Sequence, residues 1–419
     1  MKKILLPVGL AVLAGLTFLF WSPISKTIAQ IDIFSDREPD IPAMLQNAKN
    51  SMTKEEFLEK RAESHGLLRG LNNDLPVDPQ DRPKAVTEMD RQAAELASRP
   101  SSPEKNALLA SWSAIGPAPI ISGASRYSGR VIAIAVHPTN PDIVYVGAAQ
   151  GGLYRSTNGG TSWTALMDGA QSLAIGAIAI SPSSPETVYV GTGEPNFSSD
   201  SFFGVGVYRI DNASTTATLT GPLNKDAGNA DVFTGRSIAE IIVHPTDPNT
   251  IFVATTSGVG GIGGAQNTVT PSRGVYRSTN AAGATPTFAK LTGLAGAINA
   301  SVRDIAIDPN NPNILVAGLV AAATTGGIYR TTDALSANPT FTQTFQFASG
   351  TSTSELTTEF AAVHPVGNAD ATFYAATGNL GGRVLRSTDG GATWIQQVDN
   401  NFCTPQCFYD VAVAVDPTN

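Results

Sequence analysis

A chain of 419 residues with only 15% Asp, Glu, Lys and Arg, 40 Gly and 27 Pro has a composition that suits many short strands joined by tight turns, and a length that suits one large repeat architecture with a sizeable core. The net charge of -8, with no basic stripe to offset it, argues against a nucleic-acid partner.

The first elements form a separate unit. Lys2 and Lys3 precede an uncharged apolar run from Ile4 to Phe20, and Thr27, Ile28 and Ala29 offer small residues at the spacing a signal peptidase reads. Residues 1–29 are therefore expected to be a signal peptide that directs export to a secreted, periplasmic or cell-surface location. The run contains Pro7 and Gly9 and is shorter than the roughly 20 residues of a membrane span, so the membrane is a partner only if this segment stays uncleaved.

Residues 30–110 are rich in charge and hold the chain's helix signals. Thr53 with Glu56 reads as a capping box, Met52 and Phe57 as the staple around it, and a helix is expected from Lys54 to Leu68. Thr87 with Asp90 suggests a second start, for a helix ending before Pro100. The segment reads as a charged, partly helical extension, a linker or a prosegment.

From residue 111 to 419 the chain repeats. A strand ending in His-Pro or a related pair, then a polar turn and a second strand, recurs as AIAVHPTNPDIVYVGA, AIAISPSSPETVYVGT, EIIVHPTDPNTIFVAT and DIAIDPNNPNILVAG, with weaker copies at 360–377 and 412–419. The landmark residues His137, Ser181, His244, Asp308, His364 and Asp416 stand 44, 63, 64, 56 and 52 positions apart. A second signal follows each full copy: LYRSTNGGTSW, VYRIDN, VYRSTN, IYRTTD and VLRSTDGGATW. Four strands in about fifty residues make one blade of a β-propeller, and the expected fold is all-β, of four-stranded antiparallel blades, preceded by the short helical extension. In each first strand the positions one and three before the landmark are mostly Ile or Val and the position between them mostly Ala, so both faces are apolar and need neighbouring blades as cover. WSAIGP (112–117) reads as an outer strand that would complete the last blade. The sixth copy stops inside its first turn, so the sequence is expected to be a carboxy-terminally truncated part of a longer protein, with about five blades present.

STDGGATW (387–394) and STNGGTSW (156–163) carry a resemblance to the Asp-box, or BNR-like, propellers, which include the amino-terminal propeller of sortilin (VPS10), the xyloglucanase-type glycoside hydrolases, sialidases and an exported bacterial subgroup. The resemblance covers residues 112–419 and implies that Ser156, Asn158, Gly160 and Trp163, with Ser387, Asp389, Gly391 and Trp394, are structural. They would form a perimeter hairpin in which short acceptors hold turn amides and Trp closes the blade edge. The Arg-Ile-Pro motif of sialidases and the catalytic segments of xyloglucanases are not recognisable.

Candidates for chemistry lie where the first strands begin: Arg130, Arg236, Arg303, Glu359 and Asp410, with Glu240 and Asp304 interrupting the Ala-rich face four positions before the landmark. Acidic side chains there are costly unless paired, and Arg236 and Arg303 are expected to pair with them between blades. The loop from Gly193 to Ser201 gathers Glu194, Asn196 and Asp200 beside Phe197, Phe202 and Phe203, a mixture suited to a sugar or a peptide, with weak Ca²⁺ potential. Arg130, Glu194, Asn196, Asp200, Arg236 and Arg303 are the expected ligand-binding residues. Glu240, Asp304, Glu359 and Asp410 are the acids a glycosidase would use, alongside Glu194 and Asp200.

Other motifs exclude classes. His137, His244 and His364 share a turn-capping position and His65 lies in the extension, so there is no catalytic triad. GVGGIG (258–263) lacks the capped helix of a dinucleotide site. Cys403 and Cys407, the two cysteines, stand in a loop without a nearby His and are expected to form a disulfide. The expected function is an exported binding or scaffold propeller that recognises a glycan, peptide or protein partner without cofactor; the alternative is a glycoside hydrolase.

Overall fold

The structure is a computed structural model that describes residues 80–102, 120–122, 125–127, 129–196, 201–257, 271–294, 299–320, 325–348, 357–398, 400–404, 406–407 and 411–416. The helix expected at 54–68, the strand expected at 112–117 and the last residues of the chain lie outside these. Two compact units divide the chain. The described part of one is a hairpin of β1 (Ile120–Ser122) and β2 (Ser125–Tyr127), with Ile120 opposite Tyr127.

In the other unit, five four-stranded antiparallel sheets follow one another among the described residues. They are β3 (Val131–Val136), β4 (Val144–Ala148), β5 (Gly152–Ser156) and β6 (Thr164–Ala165); β7 (Ile175–Ile180), β8 (Val188–Thr192), β9 (Val207–Asp211) and β10 (Thr218–Leu223); β11 (Ser237–Val243), β12 (Ile251–Thr256), β13 (Gly274–Ser278) and β14 (Ala289–Lys290); β15 (Ser301–Ile307), β16 (Leu315–Val320), β17 (Gly327–Thr331) and β18 (Thr342–Gln346); and β19 (Thr358–Val363), β20 (Thr372–Thr377), β21 (Arg383–Ser387) and β22 (Ile395–Val398). Each sheet is a meander in chain order. The first strands contact one another in series, β3 with β7, β7 with β11, β11 with β15 and β15 with β19. Sheets stacked face to face with their first strands gathered on one axis are the blades of a β-propeller.

The repeat pattern explains the stacking. From the second blade on, the branched side chains of each first strand cover the second strand of the preceding blade, which presents small residues to receive them. A Cβ at Gly191 in β8 would stand 2.4 Å from Ile238 Cγ2, so only glycine lets β11 approach this closely. Ile241 and Ile305 are consequently 1% exposed, and the buried clusters run from blade to blade, as where Ala239, Phe252 and Val275 meet Val302, Ile305 and Leu315. In the first blade the corresponding Ile134 and Val136 are 65% and 53% exposed; among the described residues no sheet packs on that face.

The box hairpins fold as turn devices. Ser387 Oγ donates to Asp389 Oδ1 at 2.7 Å, Gly391 N donates to Ser387 Oγ at 2.9 Å, and Asp389 also accepts Thr393 N and Thr393 Oγ1. Gly390 and Gly391 take φ of +64° and +83°, which side chains disfavour. Ser156 and Asn158 repeat the pattern with Gly160 N and Ser162 N. The degenerate copies keep its core as Ser278 to Asn280 and Thr331 to Asp333. Trp394 is half-buried and donates to Thr344 Oγ1, whereas Trp163 is 44% exposed.

A second repeating device joins blades. The arginine of each Tyr-Arg pair reaches the box turn of the next blade. Arg155 donates to the carbonyls of Ala213 and Thr215, Arg209 to those of Ala281 and Gly283, Arg277 to those of Ala334 and Ser336, and Arg330 to that of Gly390. In the fifth blade Arg386 is exposed and lies over the Tyr374 ring, 5.8 Å from its centroid.

Among the described residues one α-helix, α1 (Asp81–Ser98), is present. It ends where Pro100 dictates but begins six residues before the start read at Thr87. Pro83 occupies the first turn, where no amide partner is needed, and Thr87 sits inside the helix with its hydroxyl donating to the Pro83 carbonyl. Arg82 Nε donates to the Gln171 carbonyl of the second blade. Cys403 and Cys407 are disulfide-bonded and pack with Ala376 and Val411.

Candidate functional site

Each first strand is paired on one side only, so alternate amides along it face the axis unpaired. In β3, β7, β11 and β15 a β-bulge interrupts the pairing with the next strand, in β11 between Ile238 and Glu240 and in β15 between Val302 and Asp304; β19 has none. At the bulge a strand turns and re-aims its side chains, and the two acids of the Ala-rich face stand there. Glu240 Oε1 accepts Ile241 N at 2.9 Å. Asp304 Oδ1 accepts Ile305 N at 2.7 Å, and its Oδ2 accepts Phe360 N of the next blade at 2.5 Å. The carboxyl groups thus occupy edge amides of the inner strands, rather than forming the expected pairs with Arg236 and Arg303.

The arginines go elsewhere. Arg236 is buried and donates to the carbonyls of Pro271 at 2.6 Å and Ser257 at 3.2 Å; burial, and then the neighbouring Arg273, pull its pKa down to about 10. It does not line the axial cavity described below. Arg303 stands five positions before its landmark, and Glu359 holds the same place in the next repeat. Their Nη2 and Oε1 are 2.9 Å apart.

The loop after β8 closes the set. Glu194 is fully buried and its Oε2 is 2.6 Å from Arg130 Nη2. Asn196 Nδ2 reaches Glu194 Oε1 at 3.5 Å, and Asn196 Oδ1 accepts Arg303 Nη2 at 3.0 Å. Arg130, Glu194, Asn196, Arg303 and Glu359 therefore form one chain of polar contacts across the inner end of four blades. The loop is held by Glu194 N on the Phe202 carbonyl and Ser201 Oγ on the Asn196 carbonyl, with Phe202 and Phe203 stacked at 4.6 Å. Phe197, Asp200 and Asp410 lie outside the described residues. Among the described residues no cluster of His, Cys, Asp or Glu is arranged to hold a metal ion.

A cavity of about 360 Å³ opens at this place. Its polar lining is Glu240, Arg303, Glu359 and Asn196, and aliphatic side chains such as Val131, Ile134 and Val411 form the rest. No aromatic residue lines it among the described residues. Its size suits a side chain or a chain end more than an extended polymer. Burial raises the pKa of all three carboxyl groups: Glu240 is pushed up to about 8, with the Glu359 charge adding to the effect; Asp304 is raised well above the carboxylate range by burial, then by Glu359 and Glu240; and Glu359 is raised by burial against the opposing pull of Arg303. Three acids around one guanidinium cannot all ionise cheaply. At neutral pH Glu240 acts as a hydrogen-bonding group more than as a charge.

No protein-family model and no curated protein matches the chain. Solved structures similar to it include an ancestral GH74 enzyme (19% identity, TM-score 0.42, covering 64% of this chain and 31% of that one). Others are the GH74 xyloglucanase from Xanthomonas campestris (15%, 0.38, covering 65% and 44%) and YCF48 bound to D1 peptide (14%, 0.37, covering 68% and 72%). The chain spans less than half the length of these GH74 enzymes. The propeller assignment rests on the five stacked sheets themselves.

Proposed function

We propose that this chain is an exported binding propeller that draws a side chain of a peptide or protein partner into the axial cavity, without catalysis. The observation that supports this reading is the lining of that cavity: donors and acceptors from Arg303, Asn196, Glu240 and Glu359 set among aliphatic walls. A sugar ring is usually held against an aromatic face, which the described lining lacks. The second reading, a glycoside hydrolase, is favoured by one specific feature: Glu240 and Glu359 line the same cavity, and Glu240 holds its proton to about pH 8 as a general acid would. Against it, Glu359 is tied to Arg303 at 2.9 Å, whereas the second carboxylate of a glycosidase must be free to face the sugar or a water. The two readings separate when the full chain is exposed to a random heptapeptide library and to a panel of polysaccharides and sialosides. Retention of peptides with no hydrolysis is expected. Hydrolysis that disappears in Glu240→Gln would overturn the binding reading, and retention of glycans alone would overturn the choice of peptide.

A further inference from the structure

Six copies of the first strand meet around the axis. Ile132, Gly176, Ala239, Arg303, Glu359 and Val411 each stand five positions before their landmark residue, and all of them line the axial cavity. Residues 411–416 therefore hold the place of a sixth first strand, and Val411 and Val413 pack with Ala376 of β20 as other first strands pack on the blade before them. Among the described residues no strand pairs with 411–416. Next around the axis comes β3, whose Val131, Ile134 and Val136 are 48%, 65% and 53% exposed. They stand six, three and one positions before His137. The same places in the next two blades hold Ile175, Ile178 and Ile180, then Ile238, Ile241 and Val243, which lie against a neighbouring blade.

The filled interfaces show what such a face receives. A Cβ at Gly147 would stand 2.4 Å from Ile175 Cγ2, one at Gly191 2.4 Å from Ile238 Cγ2, and one at Gly318 2.8 Å from Thr358 Cβ. The equivalent place holds Ala254 in β12 and Ala376 in β20. Each second strand thus carries Gly or Ala where it crosses the next first strand, after residues that are mostly β-branched or aromatic, as in VYVGA, VYVGT and IFVAT. We propose that the gap between residues 411–416 and β3 takes a β-strand from a partner protein, paired antiparallel with 411–416 and with a Gly or Ala set over Val131 and Ile134. Strand addition of this kind satisfies a row of edge amides and covers an apolar face together. A second copy of the chain is a poor donor. Its own strands of this pattern, β4, β8, β12, β16 and β20, are paired on both edges, so none can be lent without opening a blade. The site is separate from the axial reading, because Val136 does not line the axial cavity.

The probe is ETVYVGT, the sequence of residues 186–192, as a fluorescein-labelled peptide flanked by lysines and titrated with the full chain. Expected are saturable binding by anisotropy and slower hydrogen–deuterium exchange of the amides at 411–416. The same peptide with Gly191→Ile brings a branched side chain against Val131 and Ile134, and should bind at least tenfold more weakly. Val136→Asp in the protein should weaken the unchanged peptide at least tenfold; the side chain is exposed, so the variant is expected to fold, with unaltered circular dichroism. Panning for axial ligands on the Val136→Asp protein keeps the two sites apart, so that either can fail while the other stands. Absence of ETVYVGT binding, or binding that ignores both substitutions, would overturn the strand assignment. So would a dimer in sedimentation velocity that Val136→Asp dissociates, since the face would then belong to a second copy.

Discussion

The arginine that crosses from each blade to the next supplies a graded prediction. Arg209 is 9% exposed; its Nη1 bonds the carbonyls of Ala281 at 3.0 Å and Gly283 at 2.8 Å, and its Nε bonds Asp211 Oδ2 at 3.0 Å. A hydrogen bond to a charged group contributes about 1.5–3 kcal/mol net, and a carbonyl left buried without a partner forfeits a comparable amount. Arg209→Met keeps the length of the apolar stem but loses both carbonyl contacts, for a cost of about 3 kcal/mol. Arg155 makes the same pair of bonds, to the carbonyls of Ala213 and Thr215, but the second is exposed, and water can replace it. Arg155→Met should cost about half as much. Arg386 has no blade turn in reach among the described residues and lies exposed over Tyr374, so Arg386→Met should stay within about 0.5 kcal/mol of wild type. Urea unfolding of the three variants, followed by circular dichroism, reads the order directly. If Arg386→Met lowers the midpoint as far as Arg209→Met does, the cross-blade bonds are not what these arginines contribute.

Two further outcomes follow from the same structure. The folded-state pKa of Glu240, about 8, stands above its unfolded value near 4.5, so the folded chain holds that proton more tightly and stability falls as pH rises between the two. Glu240→Gln removes this titration: the variant should match wild type at pH 4 and exceed it at pH 8, and a variant that gains nothing across that window would contradict the burial described for Glu240. Asp389→Ala strips Ser387 Oγ, Thr393 N and Thr393 Oγ1 of their acceptor and should cost about 1–3 kcal/mol in thermal unfolding. An unchanged melting temperature would mean that the box acid does not hold the turn.

The propeller was legible because its signals are local and recur. Branched and Ala positions alternate in every first strand, and the Pro turns and box turns return at blade spacing. The hydrogen bonds of Ser387 and Asp389 are local, made within a few residues by the side-chain chemistry that the sequence displays. What stayed hidden depends on partners far away in the chain. Arg209 stands in a motif that the repeat exposes, but its carbonyl acceptors are more than seventy positions distant and belong to backbone, which carries no side-chain signature. Arg303 and Glu359 were both candidates, yet their pairing follows from equivalent places in successive repeats, one strand bulged and the other not. Pairing Arg236 with Glu240 was the natural guess from charge alone. It failed because the inner strands have unpaired edge amides that a carboxyl group reaches over a shorter path, while Arg236 meets loop carbonyls. The helix start was misplaced because Thr87 and Asp90 mimic a cap, whereas the actual first turn, at Asp81, has no side-chain cap at all.

The account turns on what enters the axial cavity, and a crystal structure of the full chain with its tightest selected heptapeptide tests this most directly. The predicted result is a side chain of the peptide in the cavity, among Arg303, Asn196, Glu240 and Glu359. A peptide seated on another surface, with no part of it in the cavity, would contradict the account.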